Sequence, residues 1–168
     1  VQNVDSLINV LDTSELPIKE RLELYKKITW FYTLNDLEKG FQYAREGLQL
    51  AKKNKDKEMV SVFNELLGRL YTSKSSYDTA FVYYKKSLDI ALEIKSEERE
   101  ASIYMGMGGL FGMQDKDIEA LDYFMKTLFI YEKINHPEKL TVLANIGSIY
   151  RSLNNLDRAI YYLEQAQT

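Results

Sequence analysis

The chain has no cysteine, one histidine and two prolines in its 168 residues. Each scarcity removes a class of function. Without thiols there is no disulfide framework, no thiolate metal site and no cysteine nucleophile. The redox compartment stays open, because oxidising and reducing environments both tolerate such a chain. Positive charge is also short: Lys plus Arg is 22 against 25 Asp plus Glu, a net charge of −3. A phosphate-binding surface needs clustered cations, so nucleic acid is not an expected partner. No apolar run reaches the roughly 18 residues of a membrane span, and no basic-then-apolar leader precedes Val1. The stretch is therefore expected neither to contact a membrane nor to carry a targeting signal, which leaves a cytoplasmic or a periplasmic setting open. Finally, no serine sits in a GxSxG turn, no P-loop or dinucleotide glycine pattern follows a strand, and no histidine pair has metal spacing. Catalysis, a metal and a cofactor are all unexpected. His136, before Pro137, reads as a solvated or capping residue, and the acids at Glu97, Glu98, Glu100, Asp115 and Asp117 read as caps and exposed helix faces.

What is present is a repeat. The stretch Gly68 to Leu88, GRLYTSKSSYDTAFVYYKKSL, sets Ala80 twelve residues after Gly68, with Tyr84 and Ser87 at the next inward turns. The arrangement recurs at Gly108, Ala120, Phe124 and Thr127, and at Gly147, Ala159, Leu163 and Ala166. A weaker copy centres on Gly40, with Ala44 and Gly47. The alanine slots at 40, 80, 120 and 159 lie 40, 40 and 39 residues apart, and a period in the range of roughly 20 to 50 points to a solenoid or array. With 45% hydrophobic and 28% charged residues the composition is that of a folded chain.

Apolar spacing at Val4, Leu7, Ile8 and Leu11 predicts a short helix over 1–12. Four helix pairs follow: 17–53, 57–94, 96–134 and 137–168. Pro17 and Pro137 are expected in the first turns of their helices, where the missing N–H costs nothing. Asn35, Asp36 and Ser96 are placed to cap orphan amides, and Glu97 and Glu98 to meet the positive end of a helix dipole. The polar connections are short, which makes neighbouring helices antiparallel. Gly68, Gly108 and Gly147 on the first helix of a pair, and Ala80, Ala120 and Ala159 on the second, let the two axes approach. Tyr71, Phe111 and Tyr150, with Tyr77, Ile118 and Leu156, then lock each pair. The last helix is expected to be still in progress at Thr168, as if the chain were an excerpt of a longer protein, and self-association through this open helix is a further expectation.

Gly68, Tyr71, Ala80, Tyr84 and Ser87 resemble the tetratricopeptide repeat, which pairs a glycine and an aromatic on helix A with an alanine and an aromatic on helix B. The resemblance covers about Arg21 to the end. Two departures stand out: Leu24, Asn64, Tyr104 and Leu143 fill the tryptophan slot and the closing proline is missing, and the period is 40 rather than 34. The sequence is in this respect similar to the long-repeat subgroup of bacterial sensor kinases and transcription regulators. The resemblance implies an all-α fold: an α-solenoid, a right-handed superhelix of antiparallel helix hairpins. It implies a binding scaffold for a protein or peptide segment, the interaction or sensory region of a larger signalling or regulatory protein; the alternative is a small-ligand sensing or dimerisation domain attached to a histidine kinase or DNA-binding output module.

In such solenoids the A helices line the concave surface. By register the partner-facing residues are Tyr25, Thr29 and Tyr32; Glu65, Arg69 and Thr72; Ser102, Met105, Gly109, Gly112 and Met113; and Asn145, Ser148 and Arg151. The positions that hold a C-terminal carboxylate in chaperone-binding members match Tyr25, Thr29, Leu66, Ser102 and Gly106, none of the required type. Gly106, Gly108, Gly109 and Gly112 crowd one helix, each costing its interior about 1 kcal/mol relative to alanine. Either Gly109 and Gly112 hollow the wall into a depression edged by Met105, Met113, Arg69 and Arg151, or they admit bulky neighbours such as Tyr83 and Tyr123 or let the helix bend.

Overall fold

The computed structural model describes residues 4–167. Residues 1–3 of the expected first helix and Thr168 of the fourth repeat lie outside them. All regular structure among the described residues is helical: α1 (Val4–Thr13), α2 (Ile18–Asn35), α3 (Leu37–Lys53), α4 (Lys57–Ser73), α5 (Tyr77–Glu93), α6 (Glu97–Gly112), α7 (Asp117–Lys133), α8 (Lys139–Ser152) and α9 (Leu156–Gln165). Apart from α1, they pair as antiparallel hairpins, α2 with α3, α4 with α5, α6 with α7 and α8 with α9.

The turns are built without glycine. Lys55, Ser75, Lys95, Asp115, Asn135 and Asn154 take positive φ between 51° and 58°. At five of these turns the next residue's N–H reaches back over the helix end: Asp56 to Ala51 O, Ser76 to Tyr71 O, Lys116 to Phe111 O, His136 to Tyr131 O and Asn155 to Tyr150 O. This left-handed closure satisfies the last carbonyls and reverses the chain within three residues. The side chains of Asp36, Asp56, Ser96 and Asn155 then accept from the N–H groups of Lys39, Met59, Arg99 and Arg158. Pro17 stands at the N-cap of α2, not inside its first turn, and its carbonyl accepts from Arg21 N–H at 3.0 Å. Pro137 likewise falls in the turn before α8, which begins at Lys139. The last helix is described as Leu156–Gln165, and the Ala166 N–H still donates to Tyr162 O.

The chain forms two compact units, Val1–Ile94 and Lys95–Thr168, although the sequence period crosses the boundary uninterrupted. In the first unit, Val4 and Leu11 of α1 pack on Ile28 and Tyr32. Leu22, Ala51, Met59 and Phe63 form a second cluster, and Phe41, Ala44, Leu67 and Leu70 a third. Small residues set these distances. A Cβ on Gly47 would stand 2.2 Å from the Phe63 ring, one on Gly40 2.6 Å from Leu70 Cδ2, and one on Gly68 3.0 Å from the Tyr84 ring. Between α4 and α5 the Ser61 and Ser87 hydroxyls each donate to the other's backbone carbonyl, at 3.0 and 2.7 Å.

In the second unit a core cluster gathers Ala101, Ala120, Phe124, Leu128, Val142, Ile146, Tyr150 and Ala159. Gly108 faces Phe124 and Gly147 faces Leu163, each 2.7 Å from where a Cβ would sit. Rings stack across every hairpin: Tyr32 on Tyr43, Tyr71 on Tyr83, Phe111 on Tyr123 and Tyr150 on Tyr162, with centroids 5.3 to 5.8 Å apart. Such pairs add about 0.5–1.5 kcal/mol to what their burial provides. The expected wedges Ile118 and Leu156 are instead exposed, because the stacked rings already fill the hairpin seam.

Candidate partner-binding face

In the first unit the expected face is mostly interior. Thr29, Tyr32, Glu65 and Thr72 are buried. The register gave their direction on the helix, but α2 and α4 pack on more than one side. Thr29 Oγ1 is enclosed with no hydrogen-bond partner among the described residues, Thr72 Oγ1 donates to Gly68 O at 2.9 Å, and the Tyr32 ring lies on Tyr43. Tyr25 is half-buried, and its phenol pKa is raised first by burial and then by the Glu46 carboxylate.

Arg69 is partly accessible and committed. Its Nε and Nη2 donate to Glu65 Oε1 at 3.0 and 2.8 Å, and its guanidinium lies 4.9 Å from the centre of the Trp30 ring. A buried carboxylate beside a planar cation stacked on an indole is a closed arrangement, since each group satisfies the next. Arg69 is thus a positioning partner for Glu65. Behind it, Tyr84 is buried against Gly68, and burial pushes its phenol pKa up to about 12, with Glu65 adding to the rise and Arg69 and a Thr72 hydrogen bond opposing it.

In the second unit the expected residues do reach the surface. Gly109, Met113, Ser148 and Arg151 are exposed, while Ser102, Met105, Gly112 and Asn145 are partly so. Beyond the adjoining residues and backbone of α6 itself, no described atom lies within 4 Å of a Cβ built on Gly109 or on Gly112. Within the second unit the two glycines therefore do not make room for Tyr123, whose ring stacks on Phe111. Both α6 and α8 pack on α7, through Gly108 against Phe124 and through Ile146 and Tyr150 in the shared core. The outcome is a strip with no side chains along part of α6, thioethers at Met105 and Met113, and Asn145, Ser148 and the Arg151 cation on α8. An extended backbone can approach bare helix at glycine, methionine adapts to irregular apolar groups, and arginine grips a carboxylate through its fork.

Elsewhere His136 stacks on Tyr131 at 4.1 Å and its Nδ1 accepts from the Glu138 N–H at 3.2 Å. That fixes the ring as a cap for the turn into α8. It borders a cleft of about 560 Å³ with Glu132, Lys139, Leu140 and Leu143. Among the described residues no cluster of three His, Asp or Glu could hold a metal, and no helix is long and apolar enough to cross a membrane. Sequence reasoning missed Trp30, Phe31 and Leu34 as surface groups. Trp30 is 52% exposed and Leu34 85%. Their spacing along α2 was the available signal, since Trp30 and Leu34 stand one turn apart.

Two family models described as tetratricopeptide repeat match the chain, one over residues 99–168 and one over 63–93. Protein KINESIN LIGHT CHAIN-RELATED 3 of Arabidopsis thaliana is 33% identical over 113 residues, which are 64% of this chain and 17% of that protein. The chain thus spans less than a fifth of that relative's length. Among solved structures, a Rap protein complexed with competence and sporulation factor superimposes with a TM-score of 0.89 at 17% identity, covering 97% of this chain and 47% of its own. A signal transduction ATPase with a tetratricopeptide repeat sensor from Pyrococcus horikoshii gives 0.78 at 17% identity, covering 97% and 26%. At such identities the likeness is one of fold.

Proposed function

Because the chain carries tetratricopeptide repeats and folds as the solenoids built from them do, we propose that it is the interaction region of a larger regulatory protein and holds an extended protein segment on the α6 and α8 face of its second unit. The observation that carries this reading is the open space at Gly109 and Gly112. Glycine in a helix costs about 1 kcal/mol relative to alanine, and at these two positions no neighbour requires it. What bare backbone provides there is access. Arg151 supplies a cationic end for an acidic group and Met105 and Met113 supply apolar contacts, so the segment bound is extended, with aliphatic side chains and a carboxylate. The 40-residue period adds to the regulatory reading, being the spacing of the long-repeat subgroup found ahead of kinase and transcriptional output modules. Binding, not catalysis, is the role proposed: the single histidine is stacked and caps a turn.

The test is to pan a random-peptide display library on the chain and map where the selected peptides sit. A photoreactive residue at Ser148 is expected to crosslink them, and one at the exposed Glu119 of α7 is not. Crosslinking at Glu119 alone, or selected peptides whose binding survives Gly109→Arg, would remove the assignment.

A further inference from the structure

The repeat register shows where one helix departs from its sister helices. Counted from Gly40 and Ala80, three slots on the outer face hold Glu38, Arg45 and Gln49 on α3, and Asp78, Lys85 and Asp89 on α5. Counted from Ala120, the same slots on α7 hold Ile118, Met125 and Phe129. The six polar residues are all exposed. Arg45 and Gln49 stay so although the whole following hairpin, α4 with α5, belongs to their unit, and Lys85 and Asp89 although the whole preceding hairpin does. A neighbouring hairpin on either side thus leaves these slots open, so their exposure on α7 does not come from where the chain begins or stops.

Ile118 is 66% exposed and Phe129 70%; Met125 is 39% exposed even with the Tyr162 hydroxyl 3.9 Å from its sulfur. Together they make one stripe about 16 Å long. Single apolar side chains at a surface are ordinary, whereas three in register where sister helices carry polar groups mark a contact face. The charges beside the stripe reverse sign along the helix. Glu119 and Asp122 precede Met125, and Lys126 and Lys133 follow it. Turned end for end about its middle, α7 therefore complements itself: Ile118 meets Phe129, small against large, and Asp122 meets Lys126. Glu119 falls between Lys126 and Lys133, while Glu132, the acid of the basic half, falls opposite Lys116. A parallel pairing would set acid on acid and Phe129 on Phe129. Lys126 bonds Asp122 at 2.6 Å within the helix and Lys133 bonds Glu97, but these bridges are solvent-exposed and weak, so their charges stay available to a second partner.

We propose that the chain forms a two-fold dimer through the outer face of α7, which lies antiparallel to α7 of a second copy with Ile118, Met125 and Phe129 as the apolar seam. The occupant is a second copy because one stripe carries both halves of the charge pattern, as a contact of like surfaces requires. One helix face is smaller than the roughly 800 Å² a side of a standard interface, so the dimer is weak and concentration-dependent. This inference does not rest on the peptide-binding reading, which concerns α6 and α8.

Sedimentation equilibrium is expected to show monomer and dimer in exchange and no larger species. Phe129→Asp and Met125→Lys introduce the residues that α5 carries at the same slots. Each is expected to keep the native circular dichroism and to weaken the dimer by about tenfold or more. Asp122→Lys and Lys126→Glu are each expected to weaken it as well, and mixed together to restore it, since one then presents only bases where the other presents only acids. Because the chain has no cysteine, single cysteines report the orientation. A short bismaleimide is expected to join two copies at Met125→Cys, near the axis, and not at Glu119→Cys. A chain that stays monomeric at millimolar concentration, which would leave the stripe to another protein, overturns the proposal, as does one that grows past the dimer. So does a Phe129→Asp chain that associates unchanged, a charge mixture no tighter than its parts, or joining at Glu119→Cys, which a parallel pair would give.

Discussion

At the scale of single residues, the same residue type does opposite things one position apart. Gly108 is required, since a Cβ there would meet the Phe124 ring at 2.7 Å; Gly109 is not, since nothing described lies within 4 Å. Gly109→Ala is therefore expected to raise stability by about 1 kcal/mol and Gly108→Ala to lower it, a contrast read directly in urea denaturation midpoints. Tyr84 gives a second residue-scale expectation. Burial holds its phenol pKa near 12 in the folded chain, against an ordinary value of 10.0. The folded state therefore keeps the proton that the unfolded state releases. The associated stability is intact below pH 10 and falls as pH rises from about 10 towards about 12, by on the order of 1 kcal/mol per pH unit. Tyr84→Phe should flatten that fall, which alkaline denaturation curves would register.

At the scale of helices, hairpins are tied by contacts that recur in register with their chemistry exchanged. Lys57 on α4 pairs with Glu93 on α5 at 2.5 Å, and one period later Glu97 on α6 pairs with Lys133 on α7. The two bridges occupy equivalent positions with opposite polarity. Both are solvent-exposed, so each contributes only about 0.2–1 kcal/mol. Reversing Lys57 alone to Glu is expected to cost a comparable amount, and the double swap K57E with E93K to restore it; a double-mutant cycle in denaturant measures the difference. A buried polar latch is repeated more loosely. Ser61 and Ser87 exchange carbonyl bonds in one hairpin, while in the next Thr127 reaches Ala101 O at 3.4 Å.

At the scale of the whole molecule, the two compact units each enclose their own apolar clusters. Repeat arrays derive stability from each hairpin and its nearest neighbours. A chain of residues 1–94 alone is accordingly expected to be helical by circular dichroism and to unfold cooperatively with heat. A noncooperative melt would show that the contacts within this unit do not suffice. The candidate surfaces follow the same division: the open strip lies on α6 and α8 of the second unit, whereas the corresponding residues of the first unit are largely enclosed.

The sequence by itself determined the helix pair and its period. Close axis packing admits only small residues at a few slots, and those slots leave Gly68, Ala80 and their copies readable at a spacing of 40. It also located the turns, because helix ends need polar caps wherever they fall. Only the tertiary structure decided which faces remain open. Periodicity gives a side chain's direction around its own helix and is silent on whether another helix lies in that direction. Thr29 and Glu65 point where the register put them and are enclosed, Leu34 is bare, and Gly109 opens on space where Gly108 meets a ring.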